Sequence, residues 1–140
     1  MRTSMRGLPT LIRLARRRAD EQRTALAEAE RQTLLAREEL AMHDAAATRE
    51  TDRARGQAAE MALWTEWSRI HTRQKQQLEL AINLLQRQED KLRDSLRENF
   101  AEIKRLEIAL ETAERAALKI ARRKAEQMAE DAELRRQHWR

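Results

Sequence analysis

The sequence predicts an all-α chain, an antiparallel two-helix coiled-coil hairpin with a longer second helix. Three observations carry this. From Leu78 to Ile120 apolar residues recur at alternating spacings of four and three, interrupted at Glu89 and Asn99, which marks one stripe of a long helix that must bury against another. Aromatic content is 3% and charged content 38%, and Gly7, Gly56 and Pro9 are the only helix breakers; this is coiled-coil composition. Between Leu40 and Trp64 the large apolar residues thin to Met42, Met61 and Leu63, where a chain reversal fits.

Taken in order, residues 1–7 read as a flexible lead. Pro9 suits a first helical turn and is awkward deeper inside one, so a helix is expected to start near residues 8–10. Its seam runs Leu8, Ile12, Ala15, Ala19, Gln22, Leu26, Ala29, Thr33, Ala36 and Leu40. The many alanines let a partner helix approach closely.

The next stretch contains Thr48, Thr51, Asp52 and Gly56. Thr and Asp cap helices, and Gly best tolerates the left-handed position after a helix end. A reversal within 44–58 is expected. The competing reading is one continuous helix, because an isolated Gly costs only about 1 kcal/mol there.

The second helix carries the long seam of Leu78, Ile82, Leu85, Leu92, Leu96, Ile103, Leu106, Leu110, Ala113, Ala117 and Ile120. Counting back from a turn near 52–57 places Leu40 beside Trp67–Gln74, Leu26 beside Ile82–Gln88 and Leu8 beside Asn99–Leu106. The whole is expected to be a single elongated coiled-coil domain over residues 1–140, with helix one about 9–50 and helix two about 58–136. The seam to about Leu106 is then covered by the chain itself, and Leu110 to Ile120 is left over. An uncovered apolar stripe on a helix is a binding or self-association surface.

Charge is unevenly placed. The chain carries +5 overall, yet residues 1–19 contain six arginines and no acid. Arg122, Arg123 and Lys124 make the C-terminal part basic again. There is no cysteine, so disulfides and cysteine-based zinc sites are excluded. No apolar run approaches the roughly 20 residues of a membrane span, and no secretory signal is visible. A cytoplasmic protein, at most peripheral at the inner membrane face, is expected.

Chemistry-bearing patterns are sparse. Two isolated glycines cannot build a phosphate-cradling loop, so no enzyme activity, catalytic residue or cofactor is expected. His43 and His71 approach each other in a hairpin centred on residue 57, but no further ligands complete a metal site, and none is expected. Trp64 and Trp67, at i,i+3, share a face just past the turn. They read either as a plug for the hairpin tip or as an exposed anchor for a partner. The basic, amphipathic opening fits a targeting or membrane-surface helix. The basic clusters also fit non-specific phosphate contact.

The Leu–Ile–Arg opening (Leu8–Arg18), the Trp pair, the Ala81–Ile82 step in the Leu/Ile heptad and the end RRKAEQMAEDAELRR (Arg122–Arg136) together resemble the flagellar FliJ family. These are coiled-coil stalk proteins of the type III protein export apparatus, related to virulence-secretion counterparts. Family members usually show Tyr or Phe after the first Trp, where this chain has Ile70 and His71. The resemblance implies a non-enzymatic coupling factor whose paired termini enter an export ATPase hexamer. It further implies contacts with the cytoplasmic domain of the export gate membrane protein and with substrate chaperones, and no specific nucleic acid. By position, the ATPase-facing residues would be Leu8, Ile12, Arg16, Arg17, Ile120, Arg122 and Arg123. Those facing the gate and chaperones would be Trp64, Trp67, His71, Leu78 and Ile82. The alternatives are a structural homodimer paired through Leu78–Ile120, and a basic nucleic-acid or membrane-surface helix.

Overall fold

The computed structural model describes residues 2–139, with side chains from residue 6 onward. The chain is an all-α two-helix hairpin. Helix α1 spans Arg2–Ala54 and helix α2 spans Ala58–His138. The helices are joined by the short turn 55–57, inside the segment thinned of large apolar residues. Gly56 there has φ +92°, and it is the positive-φ residue of the described chain. A side chain at that φ would bring Cβ against the following carbonyl, which is why glycine occupies the position. Around it, Arg55 N donates to Thr51 O and Gln57 N to Ala54 O, tying off two carbonyls at the end of α1.

α1 starts at Arg2 rather than near residues 8–10, so residues 2–7 are helical and not a lead. Pro9 therefore lies inside the helix. Its ring nitrogen cannot donate to the carbonyl four residues earlier. Pro9 is exposed, so water can serve that carbonyl, and the flanking Leu and Arg residues favour helix.

The chain divides into two compact units. One combines residues 1–19 with 98–140, and the other comprises residues 20–97. Within the first, Ile12, Ala15 and Ala19 of α1 are buried together with Ile103 of α2. Arg16 crosses to Glu107 at 2.8 Å. Within the second, Ala29, Thr33, Ala54, His71, Ile82 and Glu89 are buried, and Lys75 crosses to Asp44 at 2.8 Å and Arg93 to Glu30 at 3.2 Å. Both sets of contacts run antiparallel. Small residues on α1 facing Ile and Leu on α2 let the backbones come close while the larger side chains fill the gap.

The polar residues that interrupt the seams are accommodated individually. The Thr33 hydroxyl donates to the Ala29 carbonyl at 3.0 Å, within its own helix. Glu89 is paired with Arg93 at 3.3 Å. A buried carboxylate needs such a partner to offset its lost hydration.

The register differs from the one obtained by counting from the turn. Counting puts Leu8 beside Asn99–Leu106, but its neighbours Pro9 and Ile12 share a groove with Leu110, Glu111 and Glu114. Helical side chains lean toward their own N-terminus. That direction is away from the turn on α1 and toward it on α2. This lean moves each contact outward on α2 by about two residues; the Arg16–Glu107 and Glu30–Arg93 pairs lie farther out still. In consequence Leu110 and Ala113 are half-buried, and the uncovered part of α2 begins at Glu114 rather than just past Leu106.

Candidate functional site

Two surfaces collect the residues that the sequence singles out. The first belongs to the unit formed by residues 1–19 and 98–140. Its 16 Lys/Arg against nine Asp/Glu give a balance of +7, whereas residues 20–97, with 13 and 15, carry −2. The positive charge of the protein is thus concentrated where the start of α1 and the end of α2 are found. Ile12 is buried and Leu8 half-buried, so these two hold the helices together. Arg16 and Arg17 are exposed, Arg16 being tied to Glu107. On α2, Ile120, Arg122 and Arg123 are exposed. Between the helices lies an open groove of about 390 Å³, walled by Pro9, Ile12, Arg16, Glu107, Leu110 and Glu111 and closed by Glu114.

Beyond Glu114 every described residue of α2 is exposed. Ile120, Leu118, Met128 and Leu134 are each more than half accessible, and Trp139 is 87% exposed. Heptad counting from Ile120 leads through Lys124, Gln127 and Asp131 and so loses the stripe. A straight helix returns to the same side after eleven residues, or about three turns. At that spacing Leu106 is followed by Ala117, Met128 and Trp139, and Leu110 by Ala121 and Ala132. The apolar side therefore continues past Ile120 in diluted form, mostly as alanine. The change of period hid it from a search for heptads.

The second surface lies at the tip, within residues 20–97. Trp64 is half-buried and its indole Nε1–H donates to Thr51 Oγ1 at 3.1 Å, while Thr51 itself donates to the Ala47 carbonyl at 2.7 Å. Thr51 thereby anchors the tryptophan, a role its position near the turn left unstated in the sequence. Trp67 stacks on His71, with ring centroids 4.7 Å apart and planes at 18°. The Nδ1 atoms of His71 and His43 lie 3.3 Å apart, one donating to the other. His71 Nε2 is buried without a partner. Both tryptophans border a shallow groove of about 270 Å³ with Glu50, Arg53, Glu60 and Leu63. Trp64 is thus tied to the end of α1 through Thr51, and both tryptophans line a groove at the tip.

Of the remaining tip residues, Ile82 is buried and Leu78 half-buried in the seam. With His71 they supply packing, and the exposed apolar surface near the tip includes Leu63, Met61 and Ile70 beside the two tryptophans. Among the described residues no group of three His, Cys, Asp or Glu is placed to hold a metal ion. No helix among them is long and apolar enough to cross a membrane.

Charge pairs across the helices shift the groups that make them. The Asp44 carboxylate, hydrogen-bonded to Lys75, raises that ammonium above the usual lysine value. Hydrogen bonding to Glu30 likewise raises Arg93, with Glu89 and Asp90 adding to it. Within α1, Arg31 holds Glu28 below the usual carboxylate value. All three groups face solvent, so these are local orienting contacts and contribute little to stability.

No protein-family model matches the chain, and neither a curated protein nor a solved structure matches it.

Proposed function

We propose that this protein is a non-enzymatic coiled-coil component of a flagellar-type protein export apparatus. In this reading it binds an export ATPase ring and links the ring to the export gate and substrate chaperones, on the cytoplasmic side of the membrane. The observation that carries the reading is the meeting, in one unit of charge +7, of the arginine-rich start of α1 with the uncovered basic end of α2. A ring lumen lined by acidic residues would attract such an end and orient it, since complementary potentials steer encounter and fix register. The resemblance of the opening helix, the Trp pair and the basic–acidic C-terminal run to the FliJ family supplies the identity of the ring.

The work expected of the protein is mechanical. Arg17 and Arg123, both exposed and on different helices, are the groups best placed to meet ring carboxylates. Leu8 and Ile12 keep the two helices together while they do so. The tip, with its groove beside Trp64 and Trp67, is the surface offered to the gate or to chaperones. Aromatic side chains at the margin of a groove are efficient anchors because they bring large area at low entropic cost.

The test is the ATPase activity of the purified export ATPase encoded in the same genome, measured with and without this protein. Stimulation, reduced by Arg17→Glu and Arg123→Glu, is the expected result. Absence of both binding and stimulation at low salt would overturn the reading. So would tight, steeply salt-dependent binding to DNA, which is the signature of a phosphate-contacting basic surface.

A further inference from the structure

The uncovered part of α2 has its charges sorted along the chain. Lys119, Arg122, Arg123 and Lys124 form a basic block with no acid among them, and Glu126, Glu130, Asp131 and Glu133 an acidic block with no base. The two blocks meet at Ala125. A helix so divided is complementary to its own reverse.

The angular positions make the match specific. At 100° per residue, Lys124 and Asp131 lie on one side of the stripe formed by Ala117, Ala121, Met128 and Ala132. Arg122 and Glu133 lie more than about 100° from the centre of the stripe and take no part. In an antiparallel twofold pair, the same flank of each helix faces the same flank of the other. With the axis between Gln127 and Met128, Lys124 lies level with Asp131 of the second copy, and symmetry repeats the pair. The alanines let the helices approach closely, and the two Met128 side chains meet near the axis, where a flexible thioether fills an irregular gap. In a parallel pair opposite flanks meet, and Lys124 has no acid of the second copy level with it on the facing flank.

We propose that residues 114–138 of α2 form an antiparallel interface with the same segment of a second copy of this chain. All the residues used are exposed in the single chain. The pairing occupies the stripe that a partner ring would otherwise meet, so self-association and partner binding at this end are mutually exclusive. The interface itself requires nothing of the export reading, and its test uses this chain alone.

The 140-residue chain should sediment as a species of twice 16.5 kDa that dissociates on dilution. Lys124→Glu and Asp131→Lys, made separately, should each weaken association by about tenfold or more, because each brings like charges level. Mixed in equal amounts, the two variants should recover the dimer, since acid at 124 and 131 of one chain then faces base at 131 and 124 of the other. The chain has no cysteine, so Met128→Cys reports the axis directly by forming a disulfide-linked dimer under mild oxidation. A wild-type chain that stays monomeric at about 200 µM would overturn the proposal. A mixture no better associated than its components would do so equally, as would cross-linking that fails at 128. Unchanged helicity of each variant by circular dichroism separates loss of association from loss of fold.

Discussion

Gly56 and Gly7 are predicted to respond to alanine with opposite signs. At Gly56 a Cβ would meet nothing within 4 Å, yet φ is +92°. The cost of Gly56→Ala is therefore purely conformational, about 1–2 kcal/mol for an L-residue held in the left-handed region. Gly7 also has open space where a Cβ would stand, but it sits in ordinary helix. There alanine removes backbone entropy from the unfolded chain and gains about 0.5–1 kcal/mol. The two substitutions add the same methyl group and bury nothing, so packing cancels between them. Urea denaturation followed by ellipticity at constant protein concentration would measure both. A Gly56→Ala variant as stable as wild type would refute the turn geometry. A destabilised Gly7→Ala would refute a helix beginning upstream of Pro9.

Three further outcomes follow from the packing. His71→Leu should stabilise the hairpin by about 1 kcal/mol, because it removes a buried nitrogen with no partner while half-exposed His43 can turn to water; a lower denaturation midpoint would contradict this. Arg93→Met should destabilise more than Arg23→Met, since it strands the buried Glu89 carboxylate, and adding Glu89→Leu should recover the loss. Equal effects of the two arginine substitutions in parallel melts would show that Glu89 does not depend on Arg93. For pH, the raised pKa of Lys75 means its contact with Asp44 contributes fully below the usual lysine value of 10.5 and is lost as pH rises through the shifted value. Glu28, lowered by Arg31, contributes above the usual carboxylate value of 4.5 and loses its contribution as pH falls through the shifted value. Lys75→Met should therefore flatten the alkaline limb of the stability–pH profile and leave the acid limb alone, and an unchanged alkaline limb would argue against the contact.

The seams were legible because burial in a helix pair is written as period. Each α1 position from Leu8 to Leu40 in the heptad seam is buried or half-buried, including Gln22 and Thr33, and so is each α2 position from Leu78 to Ala113, including Glu89 and Asn99. Register was not legible, because a residue count around the turn does not fix which residues meet across the helices: Arg16 meets Glu107 and Glu30 meets Arg93, each well beyond the counted position. The start of α1 was obscured by Pro9, whose lost hydrogen bond is tolerable at an exposed site. At the tip, Trp64 and Trp67 were visible as a pair, but the Thr51 hydroxyl that orients Trp64 is one polar residue among several in a turn-like segment. Beyond Ile120 the stripe changes from seven-residue to eleven-residue spacing and from leucine to alanine, and both changes weaken the signal together.

The proposed function turns on the basic end, formed by the start of α1 and the uncovered part of α2, engaging an export ATPase ring. The most direct measurement is binding of the full chain to that ATPase by interferometry, comparing wild type with Arg17→Glu/Arg123→Glu, two exposed sites outside the paired seam. Binding should strengthen at low salt and fall by about tenfold or more in the variant. Equal binding by both proteins, or none by either, would contradict a ring-binding role for this end.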